Sequence, residues 1–594
     1  TYTTRGNLLT ERDPKGNQVT YSYAAIPNCP NLSANASDLY RTGMQRGGIT
    51  SVLLQWAYQH KCVSGLPEQA TDPNSLVTTT DYDRYGRPLT IKQGTSPNDS
   101  SLGLTTNLYF EDRNVAGDQL TDYGIATATD VTAAGDQRTV TVHHYDKLGR
   151  LRLAQQFETK PTSLAAAAAD ETAGIKTETK YIFNSGRNAV LVSNPYRTAS
   201  DPTLGWTATR RDKLGRPCSV ETFDGSTEPT LAQNCAPSSG ATGSTQYAYD
   251  ATSTVAQQTI TDPAGAARVF QQDALGRLIT VIEDPTSANY TTTYEYNLRD
   301  NLTGVTQGAT ARGFVSSSLN RLLTASNPES GATSYSYDLA GNLVSRTMAG
   351  GVTRTSTFDD QHRVLTHGYN DGTAAVAYSY DTALTADRPA GCADTGPKGR
   401  LANVTNGAFT AFYFYNQLGH AVCSRQRVQT YDPFDFLYTN TAQGEWATVQ
   451  YPSGRTLTTA FDDAGRPASL AGNFPYASNL QYAAHGAVGQ VTLGNGTVET
   501  SSYNGRLQLA DLKLGSSPGQ AGQGTSDRWW LQNCYTDADP CVGSGPANNG
   551  NVRYQRLTVL NGTSVKTVYR YDGLNRLKLA NETPTSSSTP LCPD

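Results

Sequence analysis

The sequence has few charged residues, few methionines and no long apolar segment. Charged residues occupy 17% of its 594 positions, too few for a charge-rich disordered chain. No apolar run approaches the roughly 18 residues that a membrane-spanning helix needs. The formal net charge of -5 leaves no basic excess that would favour nucleic acid. We therefore expect neither a membrane span nor a nucleic-acid partner.

Catalytic and metal-binding signatures are also missing. The chain contains no His-Glu-x-x-His sequence and no phosphate-binding loop. It has seven histidines and no CxxC pair, so a zinc site is not expected. Aspartates are numerous, but turns account for them and no carboxylate pair stands out. We predict a protein that is not an enzyme and that needs no cofactor or metal.

The composition that remains is typical of partly solvated β-sheet. The chain has 34 Tyr against 14 Phe, together with 54 Gly and abundant Thr and Ser. A tyrosine suits a half-exposed strand, because its ring lies on the sheet while its hydroxyl stays in water. The glycines and prolines supply the turns between such strands.

One phrase recurs along the chain: an aromatic residue, Asp, two variable residues, Gly, Arg, and then an apolar residue. Where the array is regular, the phrases are spaced about 21 residues apart, as at Asp338 and Asp359. A second turn signal separates them, for example Asn327-Pro-Glu-Ser-Gly331. The resulting order of strand, turn, strand, turn leaves no room for helices. Clear examples of the phrase begin at Tyr82, Tyr145, Asp212, Asp273, Tyr337, Phe358, Phe461 and Tyr571.

The phrase has the residues of a short β-hairpin loop. Asp accepts hydrogen bonds from the backbone ahead, and the Gly position requires a left-handed residue after a type I turn. Where Gly is missing, the substitutes are Asp300, Asn320, His362 and Asn575, which are residue types that tolerate positive φ. The alternative is a ligand-binding Asp-Gly-Arg loop.

The nine cysteines fall mostly in pairs that are close in sequence. Pairing of nearest neighbours is expected in a repeat array, since each unit contacts mainly its own neighbours. Such disulfides imply an oxidising compartment; scattered free thiols are the alternative. The predicted pairs are Cys29 with Cys62, Cys218 with Cys235, Cys392 with Cys423, and Cys534 with Cys541, which leaves Cys592 without a partner.

The repeated phrases resemble the YD repeats of Rhs proteins, of insecticidal toxin complex components and of teneurins, over about Thr1 to Asn581. The resemblance implies an all-β array in which a long antiparallel sheet spirals, as a solenoid or as a hollow shell. Rhs toxins also carry an Asp-Pro-x-Gly-Leu-like core motif at which they cleave themselves. The nearest phrase here, Tyr431-Asp-Pro-Phe-Asp-Phe436, lacks the Gly, so self-cleavage is not carried over.

We expect one repeat array over residues 1–594, which opens inside a repeat-like phrase and is predicted to be part of a longer chain. A short helix is expected at Ser163–Ala173. Trp529 and Trp530 either pack under an insertion or form an exposed binding surface. Disulfides are expected to staple the insertions, which we place at about 27–62, 94–136, 160–176, 224–243, 384–400 and 515–550.

Three functions remain open. The first is an extracellular structural or encapsulating shell, whose partners would be other segments or subunits of the same Rhs-like protein and a polypeptide cargo. The second is a surface or matrix adhesin that binds a glycan or protein through its insertions. The third is a glycan-degrading enzyme, which would need a cleft with two carboxylates at glycosidase spacing. The first two place the protein outside the cell or on its surface.

Overall fold

The protein is a single antiparallel β-sheet in which every strand pairs with its neighbours in sequence. The computed structural model describes residues 1–584 except 5, 25–39, 48–51, 62–63, 95–104, 113–122, 185–186, 234, 252–254, 430, 517–526, 542–544 and 560–563. Within these residues 43 strands form one sheet, and 55% of the chain is strand. The all-β repeat array predicted from the turn phrases is confirmed.

The first half of the sheet, called here the first winding (residues 1–321), contains 22 strands and one helix. The strands are β1 Thr10–Arg12, β2 Gln18–Ala24, β3 Tyr40–Arg46, β4 Leu54–His60, β5 Pro67–Thr71, β6 Val77–Tyr82, β7 Pro88–Gly94, β8 Thr105–Asp112, β9 Tyr123–Thr129, β10 Thr139–Tyr145, β11 Leu151–Phe157, β12 Ile175–Asn184, β13 Arg187–Ser193, β14 Gly205–Arg211, β15 Pro217–Asp224, β16 Gly243–Ala251, β17 Ala256–Thr261, β18 Ala267–Gln272, β19 Leu278–Glu283, β20 Tyr290–Tyr296, β21 Leu302–Gln307 and β22 Thr310–Ser316. The helix is α1, Leu164–Ala169.

The remainder, the second winding (residues 322–584), continues the same up-and-down order. A short 3-10 turn lies at Thr385–Asp387. The strands are β23 Leu322–Asn327, β24 Gly331–Tyr337, β25 Leu343–Thr347, β26 Thr353–Phe358, β27 Val364–Tyr369, β28 Val376–Tyr380, β29 Leu401–Asn406, β30 Phe409–Tyr415, β31 Ala421–Val428, β32 Phe434–Asn440, β33 Trp446–Gln450, β34 Thr456–Phe461, β35 Pro467–Ala471, β36 Pro475–Tyr482, β37 Val488–Leu493, β38 Val498–Tyr503, β39 Leu509–Gly515, β40 Asp527–Cys534, β41 Tyr554–Val559, β42 Ser564–Tyr571 and β43 Leu577–Pro584.

The repeated phrases form hairpin tips along one edge of the sheet, which we call the YD edge. At each clear tip the register shifts by one residue beside the aromatic position, as between His144 and Tyr145, and this is a β-bulge. The residue at the Gly position has positive φ, for example 77° at Gly149. The predicted left-handed backbone is confirmed at four positions without Gly: Asp300, Asn320, His362 and Asn575, with φ of 61°, 59°, 64° and 62°.

The opposite edge, called the DP edge, carries the second set of turns. Asp13-Pro14 and Asp262-Pro263 open two of them, and in each the Asp carboxylate accepts backbone N–H groups further along the turn. The two edges meet because the sheet winds around on itself. The DP edge of the first winding contacts the YD edge of the second through pairs far apart in sequence: Asn74 with Lys398 (separation 324), Arg138 with Asp463 (325), Asn194 with Gly505 (311) and Asp262 with Asn575 (313).

The two faces of the sheet differ in how they are covered. Strand residues alternate between faces, so the residue before each phrase aromatic points away from the tyrosines. On that side, the covered face, loops fold back over apolar strand residues. Helix α1 covers Val142 and Phe157 with Ala167 and Ala168. Two other loops do the same, with Leu231 packing near Trp206 and Phe223, and Leu384 and Cys392 packing near Phe412 and Phe414.

The predicted insertions are only partly insertions. The segments 160–176, 224–243 and 384–400 are loops that cover the sheet, and Ser163 caps α1 by accepting a hydrogen bond from the Ala166 N–H, as predicted. The segments 27–62, 94–136 and 515–550 instead contain strands β3, β4, β8, β9 and β40. Their hairpins lack the Tyr-Asp phrase, so the sequence pattern did not reveal them.

Candidate functional site

The repeated turn is a small network of charged and backbone groups. In Asp212–Arg216 one carboxylate oxygen of Asp212 accepts the N–H groups of Leu214 and Arg216 at 2.9 and 3.0 Å. The other accepts the Nε–H of Arg216 at 2.8 Å. The same Arg Nε to Asp bond, 2.7–2.8 Å long, recurs in the turns beginning at Asp83, Asp146, Asp273, Asp359, Asp462 and Asp572. Asp and Arg therefore serve the turn itself, which is the structural interpretation of the phrase.

Several turns are also joined to the next turn along the YD edge. The guanidinium of Arg216 lies 4.2 Å from the ring centroid of Tyr249, the aromatic residue of the following phrase. The Tyr249 hydroxyl donates to the carbonyl of Pro217 at 2.7 Å. Arg466, Tyr482 and Pro467 repeat the arrangement. The aromatic residue, the Arg and the residue after the Arg therefore form one lateral link, in which the Arg lies on the face of the tyrosine ring and the tyrosine hydroxyl binds a carbonyl.

One charged group of contacts between the two windings surrounds Glu158. Its carboxylate accepts hydrogen bonds from Arg197 of the first winding at 2.5 and 2.7 Å and from Arg466 of the second at 2.8 Å. Burial by itself raises the pKa of Glu158, but the hydrogen bonds from Arg197 and Arg466 outweigh it and hold the pKa below its ordinary value. Arg466 also keeps its bond to Asp462, so one phrase arginine stabilises both a turn and the seam between windings.

A second group of seam contacts lies where the second winding begins. Lys15 approaches Asp338 at 3.1 Å, and His362 approaches Asp13 at 3.0 Å. Burial raises the pKa of Asp338, whereas hydrogen bonds from Asn342 and Lys15 lower it, to about 2 overall. The substitute residue His362 thus has a second role, because it faces the DP edge of the other winding.

Three of the four predicted cysteine pairs are bonded in the structure. Cys218–Cys235, Cys392–Cys423 and Cys534–Cys541 have Cα separations of 5.7, 6.2 and 5.6 Å. The first two tie covering loops to the covered face, and the third closes the loop that follows β40. The predicted pair Cys29 and Cys62, and Cys592, for which no partner was predicted, lie outside the described residues.

Trp529 and Trp530 are strand residues of β40, not members of a loop. They are both half-buried, and because they are adjacent in a strand they point to opposite faces. The Nε1–H of Trp530 donates to Asp511 at 2.8 Å, and Lys513 lies over its ring at 4.7 Å. The two side chains therefore do not combine into one aromatic surface.

The covered face also holds an ion pair that the sequence analysis did not identify. Arg210 and Glu221 lie 3.0 Å apart with side chains 5% and 0% exposed. Arg210 also donates to the carbonyls of Ala232 and Ala236 in the covering loop 224–243. The ion pair therefore anchors the covering loop to the strands beneath it, next to the Cys218–Cys235 disulfide. The sequence pattern did not indicate this ion pair. The repeated phrase at this turn has Arg211 at its aromatic position, so Arg210 lies just outside the phrase.

Two kinds of feature are absent from the described part of the chain. No helix there is long enough and apolar enough to cross a membrane. Among the same residues, no three His, Cys, Asp or Glu side chains are grouped so that they would hold a metal ion.

Comparison with known proteins agrees with the turn geometry. A family model described as RHS Repeat matches residues 317–353, and no curated protein matches the sequence. The crystal structure of TcdB2-TccC3-Cdc42 aligns with 99% of this chain at a TM-score of 0.71 and 12% identity. The crystal structure of TcdB2-TccC3 aligns with 99% of this chain at a TM-score of 0.70 and 13% identity. The structure of a Photorhabdus luminescens Tc holotoxin pore aligns with 97% of this chain at a TM-score of 0.62 and 12% identity.

This chain spans about a third of those solved chains, 36%, 34% and 34% respectively. The winding sheet and its linked tyrosine-aspartate turns define a YD-repeat β-sheet protein. The predicted resemblance to the Rhs and toxin complex proteins is confirmed, at the level of the repeat over 317–353 and of the fold over nearly the whole chain.

Proposed function

We propose that the protein is a non-enzymatic wall segment of a shell that encloses a polypeptide. The observation that carries the proposal is the seam itself. One continuous sheet returns to its own edge after 311–325 residues and bonds to it through Asn74, Arg138, Asn194 and Asp262. A sheet that meets its own edge in this way is curved around an axis, and a wall of that kind can surround a space.

The polar side chains of the wall serve stability rather than catalysis. The Asp and Arg of the phrase are occupied within their own turns, and the tyrosine hydroxyls are occupied by neighbouring carbonyls. Stability of this kind accumulates from one unit to the next. Three disulfides, two of which fasten loops to the covered face, support an extracellular location. The fold shared with TcdB2-TccC3 structures supports assembly with further subunits.

An image of the particle tests the shell. Cryo-electron microscopy of the purified protein is expected to show a wall one sheet thick around a solvent-filled space. Two sheets packed face to face about 10 Å apart, with no space between them, would contradict enclosure. Small-angle scattering from the same sample provides the control, since a hollow body and a solid body of equal mass differ in their distance distributions.

A surface groove favours adhesion as the second candidate function. It is lined by Arg268, Glu283, Tyr290 and Arg576, and the Tyr290 side chain is 46% exposed. An exposed aromatic ring flanked by charged hydrogen-bonding groups suits a sugar. A glycan array tests this candidate, with Tyr290→Ala as the variant that should lose binding and Tyr85→Ala, a tyrosine exposed elsewhere, as the control.

A further inference from the structure

The YD edge of the first winding carries a row of exposed apolar side chains. They occupy the third residue of the turn, just before the Gly position, in five phrases. These residues are Tyr85, Leu148, Leu214, Leu275 and Leu319, with exposures of 65%, 74%, 77%, 73% and 70%. A single exposed leucine needs no explanation, but a row at one repeated position marks a contact surface.

Apolar residues and His485 at the same turn position are shielded in the second winding. There it is held by Ala464, which is 8% exposed, and by the half-buried Leu418, His485 and Leu574. Both ring nitrogens of His485 are inaccessible to solvent. The difference lies in what each edge faces. The YD edge of the second winding rests on the DP edge of the first, through contacts such as Arg138–Asp463. The five apolar residues at this position on the YD edge of the first winding stand in water instead.

The chain also carries the complement of this free edge. The DP-edge turns of the second winding are exposed, including the apolar tips Met348 and Phe474 at 41% and 60%. Their turn chemistry matches that of the first winding, since Asn327-Pro328 stands where Asp13-Pro14 and Asp262-Pro263 stand earlier. One molecule therefore exposes apolar side chains on both kinds of edge that bond to each other at its own seam.

We infer that the first-winding YD edge of one copy docks on the second-winding DP edge of another copy. The contact continues the seam from one molecule to the next and is head-to-tail. Because the two surfaces differ, an assembly of any length keeps a free YD edge at one end and a free DP edge at the other. The docked state removes the leucine row from water, and this supplies its driving force.

Sedimentation velocity over a range of protein concentrations tests the inference. The unmodified chain is expected to form dimers and longer species as concentration rises. A YD-edge variant carrying Leu148→Asp, Leu214→Asp and Leu275→Asp, and a DP-edge variant carrying Met348→Asp and Phe474→Asp, should each weaken association at least about tenfold. Leu557→Thr removes an exposed leucine in the middle of β41 and should leave association unchanged.

Mixing the two variants distinguishes this contact from general stickiness. Each variant retains one intact edge, and the two intact edges are complementary. An equimolar mixture is therefore expected to regain dimers and to stop there. The inference is overturned if the unmodified chain stays monomeric at every concentration, if both edge variants associate as strongly as it does, or if the mixture forms no dimer. Circular dichroism of each variant establishes that the sheet is intact.

Discussion

Arg466 donates to Glu158 across 308 positions of sequence while it also binds Asp462 in its own turn. The first bond joins two windings, and the second holds a hairpin tip. A residue that the repeat requires for local reasons is thereby used for long-range assembly. The windings are linked by the same side chains that build the turns.

Replacement of Glu158 tests the strength of the seam. Glu158→Gln removes the charge that Arg197 and Arg466 share and should destabilise the seam by about 2 kcal/mol, the scale of a hydrogen bond to a charged group. Hydrogen exchange is expected to accelerate at the turn Asp462–Arg466. Glu329→Gln is the control, because the Glu329 side chain is 62% exposed in its pair with Arg312 and should contribute little. Equal protection of the turn in both variants would contradict this role of Glu158.

Acid is expected to weaken the seam. The folded pKa values of Glu158 and Asp338 lie below their ordinary values, so each stabilises the fold above its unfolded pKa and loses that contribution as pH falls through the folded pKa. For Asp338 the loss runs from 3.8 down to about 2. Urea denaturation at a series of acidic pH values measures it. Asp338→Asn should flatten the dependence in that window, and an unchanged slope would refute the assignment.

The left-handed position of the turn should tolerate asparagine but not alanine. Gly276 has φ of 79° and open space around the site of a Cβ, so backbone strain alone decides the effect. Gly276→Ala should destabilise the protein by about 1 kcal/mol, and Gly276→Asn by less. Gly313→Ala is the control, because Gly313 lies in β22 with open space and without positive φ. Thermal unfolding compares the three, and equal losses for Ala and Asn would contradict the turn assignment.

Removal of a disulfide should free the loop that it holds. Cys218→Ser with Cys235→Ser opens a bridge that spans 17 positions and should cost about 3 kcal/mol by the chain-entropy estimate. Limited proteolysis is then expected to cut within 224–243. The matched variant Cys534→Ser with Cys541→Ser should leave that loop resistant. Cleavage at 224–243 in both variants, or in neither, would contradict a local role for the bridge.

Most of the fold could be predicted from the sequence because its determinants are local. An Asp that accepts the next N–H groups and a residue that tolerates positive φ specify a hairpin tip, and this holds equally for Gly149, Asn320 and Asn575. Strands without the phrase, such as β8 and β9, were not predicted, because the sequence that connects them lacks the Tyr-Asp phrase. The pairing of Cys218, Cys392 and Cys534 with their neighbours followed from the same short-range order.

The seam and the free edges were decided only by the tertiary structure. Which phrase faces which depends on how much each strand pair twists, and that twist accumulates over some twenty strands before Glu158 meets Arg466. The sequence shows Leu148 and Ala464 at the same position of the same turn. It does not show that one stands in water and the other rests on a winding more than 300 residues earlier, because that contact arises from the sum of many small rotations.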